Sequence, residues 1–118
     1  MLKVQLLHQL CRFQNLTNTK WSILEVKKTI HCAVSHWHVS GGYVKALAIA
    51  QRESGLAWYA VNPSSGAAGV YQHLPQYWKA RVLSYPALRL GPSVFNARSN
   101  ILVAIRMAHS GGWGPWGG

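Results

Sequence analysis

The stretch Tyr43-Val44-Lys45-Ala46-Leu47-Ala48-Ile49-Ala50-Gln51-Arg52-Glu53-Ser54-Gly55, continued by Asn62-Pro63-Ser64-Ser65-Gly66-Ala67-Ala68-Gly69-Val70-Tyr71-Gln72-His73-Leu74-Pro75, decides the fold. Its first part is rich in strong helix formers, and Ala46, Ile49, Ala50 and Glu53 fall on one stripe. Gly55 is placed to end that helix in a left-handed conformation, and Ser40 can cap its start. The second part is a loop by its turn chemistry, and Pro75 suits the first position of a helix running from about Gln76 to Leu83. Glu53 therefore closes an apolar helix face beside a Gly- and Ser-rich loop.

Upstream, Ser22-Ile23-Leu24-Glu25 reads as a capping box, in which the Ser hydroxyl accepts from the N3 amide and the Glu reaches back. Val26, Ile30, Ala33, Val34 and Trp37 then form one face of an amphipathic helix that runs to about His38. Leu6, Leu10 and Phe13 give a further short helix over residues 2 to 13, and Asn15 to Lys20 reads as a polar turn. Downstream, Ser84 to Pro92 is a connector. The last helix begins near Ser93 or Asn96, buries Ala97, Ile101, Ala104, Ile105 and Ala108, and stops at Gly111. There is no internal repeat, and only Val70 to His73 offers any β alternation. The expected architecture is mainly α: one domain over 1–118, with 1–39 as a helical extension and 40–118 as the core. It has four to five helices, a Gly/Ser-rich loop and at most a minimal β-hairpin.

Composition narrows the chemistry. The 118 residues carry 12 Lys and Arg against 2 acids, a formal net charge of +10. Glu25 and Glu53 are the only carboxylate side chains, and Asp is absent. An EF-hand, a two-carboxylate metal site, an aspartic dyad and a Ser-His-Asp triad all need acids that this chain lacks. No apolar run approaches the ~20 residues of a membrane span, so a soluble chain is expected, and the first residues do not read as a signal peptide. Cys11 and Cys32 leave two states open, one bridge or two thiols. A pI near 10.2 favours polyanions such as nucleic acid, anionic lipid or a cell wall.

Glu53 is the sharpest signal. On an apolar face at a helix C-terminus, desolvation and the helix dipole both favour its neutral acid. Glycosidic cleavage needs such an acid, because the leaving oxygen must receive a proton. The competing reading is a surface Glu at a frayed helix end, paired with Arg52 or Lys45. Glu25 is accounted for by the capping box. A glycosidase with one free carboxylate must let a hydroxyl or acetamido group of its sugar supply the second function.

Glu53-Ser54-Gly55-Leu56, Ala60-Val61-Asn62-Pro63 and Ser65-Gly66-Ala67-Ala68-Gly69-Val70-Tyr71-Gln72-His73-Leu74-Pro75 together resemble the signature of lytic transglycosylases of the lysozyme superfamily. Asn100-Ile101 with Ala104 is similar to the Asn-Ile step of their later helix, and Gly112-Trp113-Gly114-Pro115-Trp116 resembles the closing Trp-x-Pro-Trp of actinobacterial and phage members. The resemblance covers roughly residues 40 to 118 and implies a small lysozyme-like domain. It also implies cleavage of the bond between N-acetylmuramic acid and N-acetylglucosamine, with the sugar's own C6 hydroxyl giving an anhydro end. Glu53 would be the acid and base, with Ser54 supporting its carboxyl. Asn62 and Gln72 would bond the sugar, Tyr71 would wall the cleft, and Asn100 and Trp113 would complete the substrate-binding set. Many family members carry, in an Ala-Tyr-Asn-x-Gly step after the last helix, a Tyr that orients the catalytic Glu. Here His109-Ser110-Gly111-Gly112-Trp113 stands instead, so the Tyr role is vacant or passes to Trp113. Val70-Tyr71 replaces the common Leu-Met, and Trp58-Tyr59 stands where small polar residues and Pro are frequent.

The remaining aromatics divide between core packing, expected for Trp37 and Trp78, and exposure in a cleft, open for Trp58, Trp113 and Trp116. His31, Cys32, His36 and His38 cluster at one helix end, but a third and fourth ligand are not evident, so neither a metal nor a cofactor is expected. Three functions compete: the transglycosylase, a lysozyme-type hydrolase in which water replaces the C6 hydroxyl, and a non-catalytic wall- or polyanion-binding module. The basic residues are scattered, which argues against specific nucleic-acid recognition. The expected partners are peptidoglycan strands and anionic wall polymers, met by a monomer outside the cell, in the envelope or on a virion.

Overall fold

Ser22 sets the start of the first helix, α1 (Ile23–His36). The computed structural model describes residues 9–13 and 20–118. Most of the helix expected over 2 to 13, and of the turn from Asn15, lies outside those residues. The capping box forms as the sequence indicates: Ser22 Oγ accepts from Glu25 N at 3.0 Å, and Glu25 Oε1 accepts from Ser22 N at 2.8 Å. The buried face carries Val26, Ile30, Ala33 and Val34, joined by Thr29, whose hydroxyl donates to the Glu25 carbonyl at 2.7 Å. α1 ends at His36, earlier than expected, because Trp37 turns to an extended φ of −131°. There its indole lies under the Arg106 guanidinium, 5.2 Å from the ring centroid.

The second helix, α2 (Gly42–Ser54), is preceded by Gly41 at φ 81°, with no side-chain cap. The Ser40 cap therefore does not form; Ser40 serves through its carbonyl, which accepts from Trp113 Nε1 at 2.9 Å. Gly55 closes α2 with φ 64°, as expected. α3 (Pro75–Leu83) starts on its proline, and a 3₁₀ turn at Pro86–Leu88 follows. The Asn96 side chain caps α4 (Ala97–Gly111) by accepting from Ser99 N at 2.9 Å, and a second 3₁₀ turn spans Gly114–Trp116.

α4 is the central element. It packs on α1 and α3, while α1 packs on α2. The face read from the sequence is buried, and so are Arg98, Ser99, Asn100, Leu102 and Val103, so α4 is enclosed nearly all round. Fully buried Ile30, Ile101, Leu102 and Ile105 each contribute roughly 1.5–3 kcal/mol by leaving water. The β content is two isolated antiparallel bridges, Val61 with Ala68 and Ala68 with His73.

Cys11 and Cys32 form a disulfide with Cα atoms 5.6 Å apart, which ties the 9–13 segment to α1. Arg98 Nε reinforces that tie by donating to the Leu10 carbonyl at 2.8 Å. The bridge takes the Cys32 sulfur out of the His31–His38 cluster. Among the described residues no group of three or more His, Cys or Glu is placed to hold a metal, and no helix is long and apolar enough to cross a membrane.

Candidate active site

Gly69 opens the turn on which the site is built. It has φ 81°, and a Cβ there would lie 2.1 Å from Asn100 Nδ2 and 2.7 Å from the Val94 carbonyl. Only glycine fits so close to the α4 side chain. Asn100, fully buried, then accounts for the turn's polar groups. Its Oδ1 accepts from Tyr71 N at 2.8 Å, and its Nδ2 donates to the carbonyls of Val94 at 2.9 Å and Ala68 at 3.1 Å. From the other side Ser54 Oγ donates to the Val70 carbonyl at 2.7 Å. The end of α2 and the first turn of α4 thus grip one turn.

That grip places Gln72 beside Glu53. Gln72 has φ 55°, and its Nε2 donates to the carbonyls of Gly69 at 3.0 Å and Ala60 at 3.2 Å. With both amide hydrogens committed, the side chain offers Oε1, an acceptor. Glu53, Gln72, Leu74, Arg81, Pro115, Trp116 and Gly117 line a cavity of 270 Å³, near the small end of the range for ligand sites. Trp116 is fixed in that wall by its Nε1, which donates to the Tyr71 carbonyl at 2.8 Å.

The Glu53 side chain is 27% exposed, and its Oε2 lies 3.3 Å from Arg52 Nη2. The partner named for the surface reading is therefore present, yet the carboxyl still opens on the cavity. Arg52 also donates to the Trp116 carbonyl, which pins the closing 3₁₀ turn over the end of α2. His73, behind the wall, has its pKa lowered to about 4, chiefly by burial and further by the Arg81 charge, against the opposing pull of its bond to the Asn100 backbone. A larger cavity of 440 Å³ between Trp37, Tyr85 and Arg106 holds no carboxylate.

Of the residues singled out in the sequence, Glu53 and Gln72 meet in this cavity. Tyr71 is not a cleft wall. It is fully buried, with its hydroxyl donating to the Ala46 carbonyl at 2.8 Å, and burial raises its pKa. Asn100 is likewise enclosed and bonds the turn rather than a sugar. Trp113 is 4% exposed and stacks on Tyr71 with centroids 6.1 Å apart, so it belongs to the core. The Ser54 hydroxyl goes to the Val70 and Ala50 carbonyls instead of the Glu53 carboxyl. Asn62 is exposed on its loop, where Oδ1 accepts from Ser64 N at 2.8 Å, an Asx turn away from the cavity lining. Trp58 is half-buried against Trp21 and Tyr59.

Arg81 and Leu74 were not anticipated. Arg81 follows Trp78 by three positions, so it shares the inward face of α3, and that spacing was the available signal.

Residues 43–118 match the family model of the transglycosylase-like domain. The chain is also similar to the probable transglycosylase SceD of Staphylococcus aureus strains Newman, Mu3 and USA300. Each is 44% identical over 70 residues, covering 58% of this chain and 29% of the relative. The chain thus spans less than a third of the length of these curated relatives. No solved structure matches it.

Proposed function

The chain belongs to the transglycosylase-like domain family, and on that premise we propose that it is a peptidoglycan lytic transglycosylase acting on the N-acetylmuramic acid–N-acetylglucosamine bond through Glu53. The carboxyl protonates the bridging oxygen as the C1–oxygen bond breaks. The resulting carboxylate then takes the proton of the C6 hydroxyl as O6 bonds to C1. The acid is regenerated, the product carries an anhydro ring, and no water is consumed. Gln72 Oε1 accepts from a sugar hydroxyl or acetamido N–H, and Trp116 gives one face of the groove an apolar wall.

The observation that carries this reading is the division of labour between two acids. Glu25 is committed to the Ser22 capping box, while Glu53 alone lines a cavity with a polar acceptor and an aromatic wall. One carboxylate can serve both halves of the reaction by first giving a proton to the leaving oxygen and then taking one from the nucleophile, which in this reading is the C6 hydroxyl. The Cys11–Cys32 bridge suits an oxidising location outside the cytoplasm, where the wall lies.

Glu53→Gln is expected to lower glycan cleavage by a factor of about 10²–10⁴ or more, since it removes the proton donor. Mass spectrometry of fragments released from purified sacculi should give anhydro ends with the unaltered protein. Reducing ends would identify a muramidase instead. Unchanged lysis by Glu53→Gln, or retained wall binding with no cleavage by either protein, would favour a binding module.

A further inference from the structure

Arg81 is held at the Glu53 cavity by two uncharged partners. Its Nη1 donates to His73 Nδ1 at 3.0 Å, and its guanidinium carbon lies 5.3 Å from the Tyr77 ring centroid. His73 can accept there only as the neutral tautomer with its proton on Nε2, which donates to the Asn100 carbonyl at 2.9 Å. Burial, which depresses the His73 pKa, keeps it in that form. A neutral acceptor aims the guanidinium without cancelling its charge. Among the described residues Arg81 makes no ion pair, and the one carboxylate in the cavity is paired with Arg52.

We propose that Arg81 forms a carboxylate subsite beside Glu53, and that the group it takes is the free lactyl carboxylate of the muramic acid residue being cleaved. The inference rests on the peptidoglycan reading and sharpens it. A guanidinium fork matches a carboxylate in two parallel hydrogen bonds. Glu53 and Arg81 line the same cavity of 270 Å³, which points to an anion on the sugar that Glu53 acts on. In strands that still bear peptides, that lactyl group is an amide and carries no charge. The preferred substrate is therefore a glycan already stripped of its stems, and a reaction of the amidase class must come first.

The test compares glycan strands from one preparation of sacculi in three forms: peptide-bearing, stripped by an amidase, and stripped with the lactyl carboxyl converted to its methylamide. The unaltered protein should cleave the stripped strands roughly tenfold or more better in kcat/KM than either form whose lactyl group is an amide. Arg81→Gln should bring the three strands to within about twofold of one another, whatever its overall rate, and Arg81→Lys should retain part of the preference. The same ranking should appear in binding by Glu53→Gln, which needs no catalysis. Equal handling of all three strands by the unaltered protein, or an undiminished preference in Arg81→Gln, overturns the subsite. If the strands are never cleaved but Glu53→Gln still ranks them by charge, the catalytic reading fails and the subsite stands.

Discussion

Asn100 is the residue on which the site's geometry depends, although it touches no part of the cavity. Its side chain satisfies one buried N–H and two carbonyls, and its backbone carbonyl holds the His73 ring that in turn aims Arg81. Asn100→Ala leaves those groups without partners and opens space against Gly69. Each unsatisfied buried group costs about 1–3 kcal/mol, so the expected loss is on the order of 3–5 kcal/mol. Thermal unfolding should show a fall in Tm of more than about 10 °C for a domain of this size. A variant that melts within a few degrees of the parent would mean that water or a shifted turn replaces the amide. The sequence made Asn100 visible as a motif member but suggested contact with substrate. Two of its three side-chain partners are backbone groups about thirty positions away, and no spacing rule reports them. Tyr71 and Trp113 misled for the same reason: an aromatic ring suits a sugar face and a core equally well, and only the packing of α2 against the closing turn decides between them.

Helices were legible where their signals are local. The Ser22–Glu25 box, the Gly55 stop and the Pro75 start each act within a turn of their own position, and each forms; the start of α4, open between Ser93 and Asn96 in the sequence, falls at an Asn96 cap. The Ser40 cap failed because a distant indole, Trp113, holds the Ser40 carbonyl and the chain turns at Gly41 instead. The α4 face was read too narrowly because Arg98, Ser99 and Asn100 are polar, yet each is buried. The two acids differ at this scale as well, since one works for a helix end and the other for a cavity. Glu25→Ala should cost about 0.5–1 kcal/mol by removing half of the capping box, read as a shift in the urea midpoint at constant m. Its glycan cleavage should match the unaltered protein within a factor of two, in contrast to Glu53→Gln. Loss of cleavage in folded Glu25→Ala would reassign the second acid to the reaction.

The charge balance of the whole molecule shapes its response to acid. Most proteins unfold in acid because native carboxylates must be protonated, but here there are two carboxylates against 12 Lys and Arg and 6 His. The histidines therefore govern the acid limb. His31, His36, His38 and His109 are exposed, whereas His73 is fully buried with its pKa lowered from the usual 6.5 to about 4. A histidine depressed in the folded state favours folding fully above the unfolded value. Between pH 6.5 and 4 the unfolded chain binds a proton that the native one refuses. Stability should therefore fall as pH drops through that window and level off below it, by about 3 kcal/mol in all at about 1.4 kcal/mol per pH unit. The formal charge of +10 adds repulsion that also works against the compact state. Urea unfolding at half-unit pH steps measures the slope, and added salt should reduce the repulsive part while leaving the buried-histidine part. Replacing His8 together with the four exposed histidines by Gln leaves His73 as the single imidazole of the chain. The slope between pH 6.5 and 4 should persist in that variant, and a flat profile there would show that the surface, rather than the ring behind Arg81, carries the acid sensitivity.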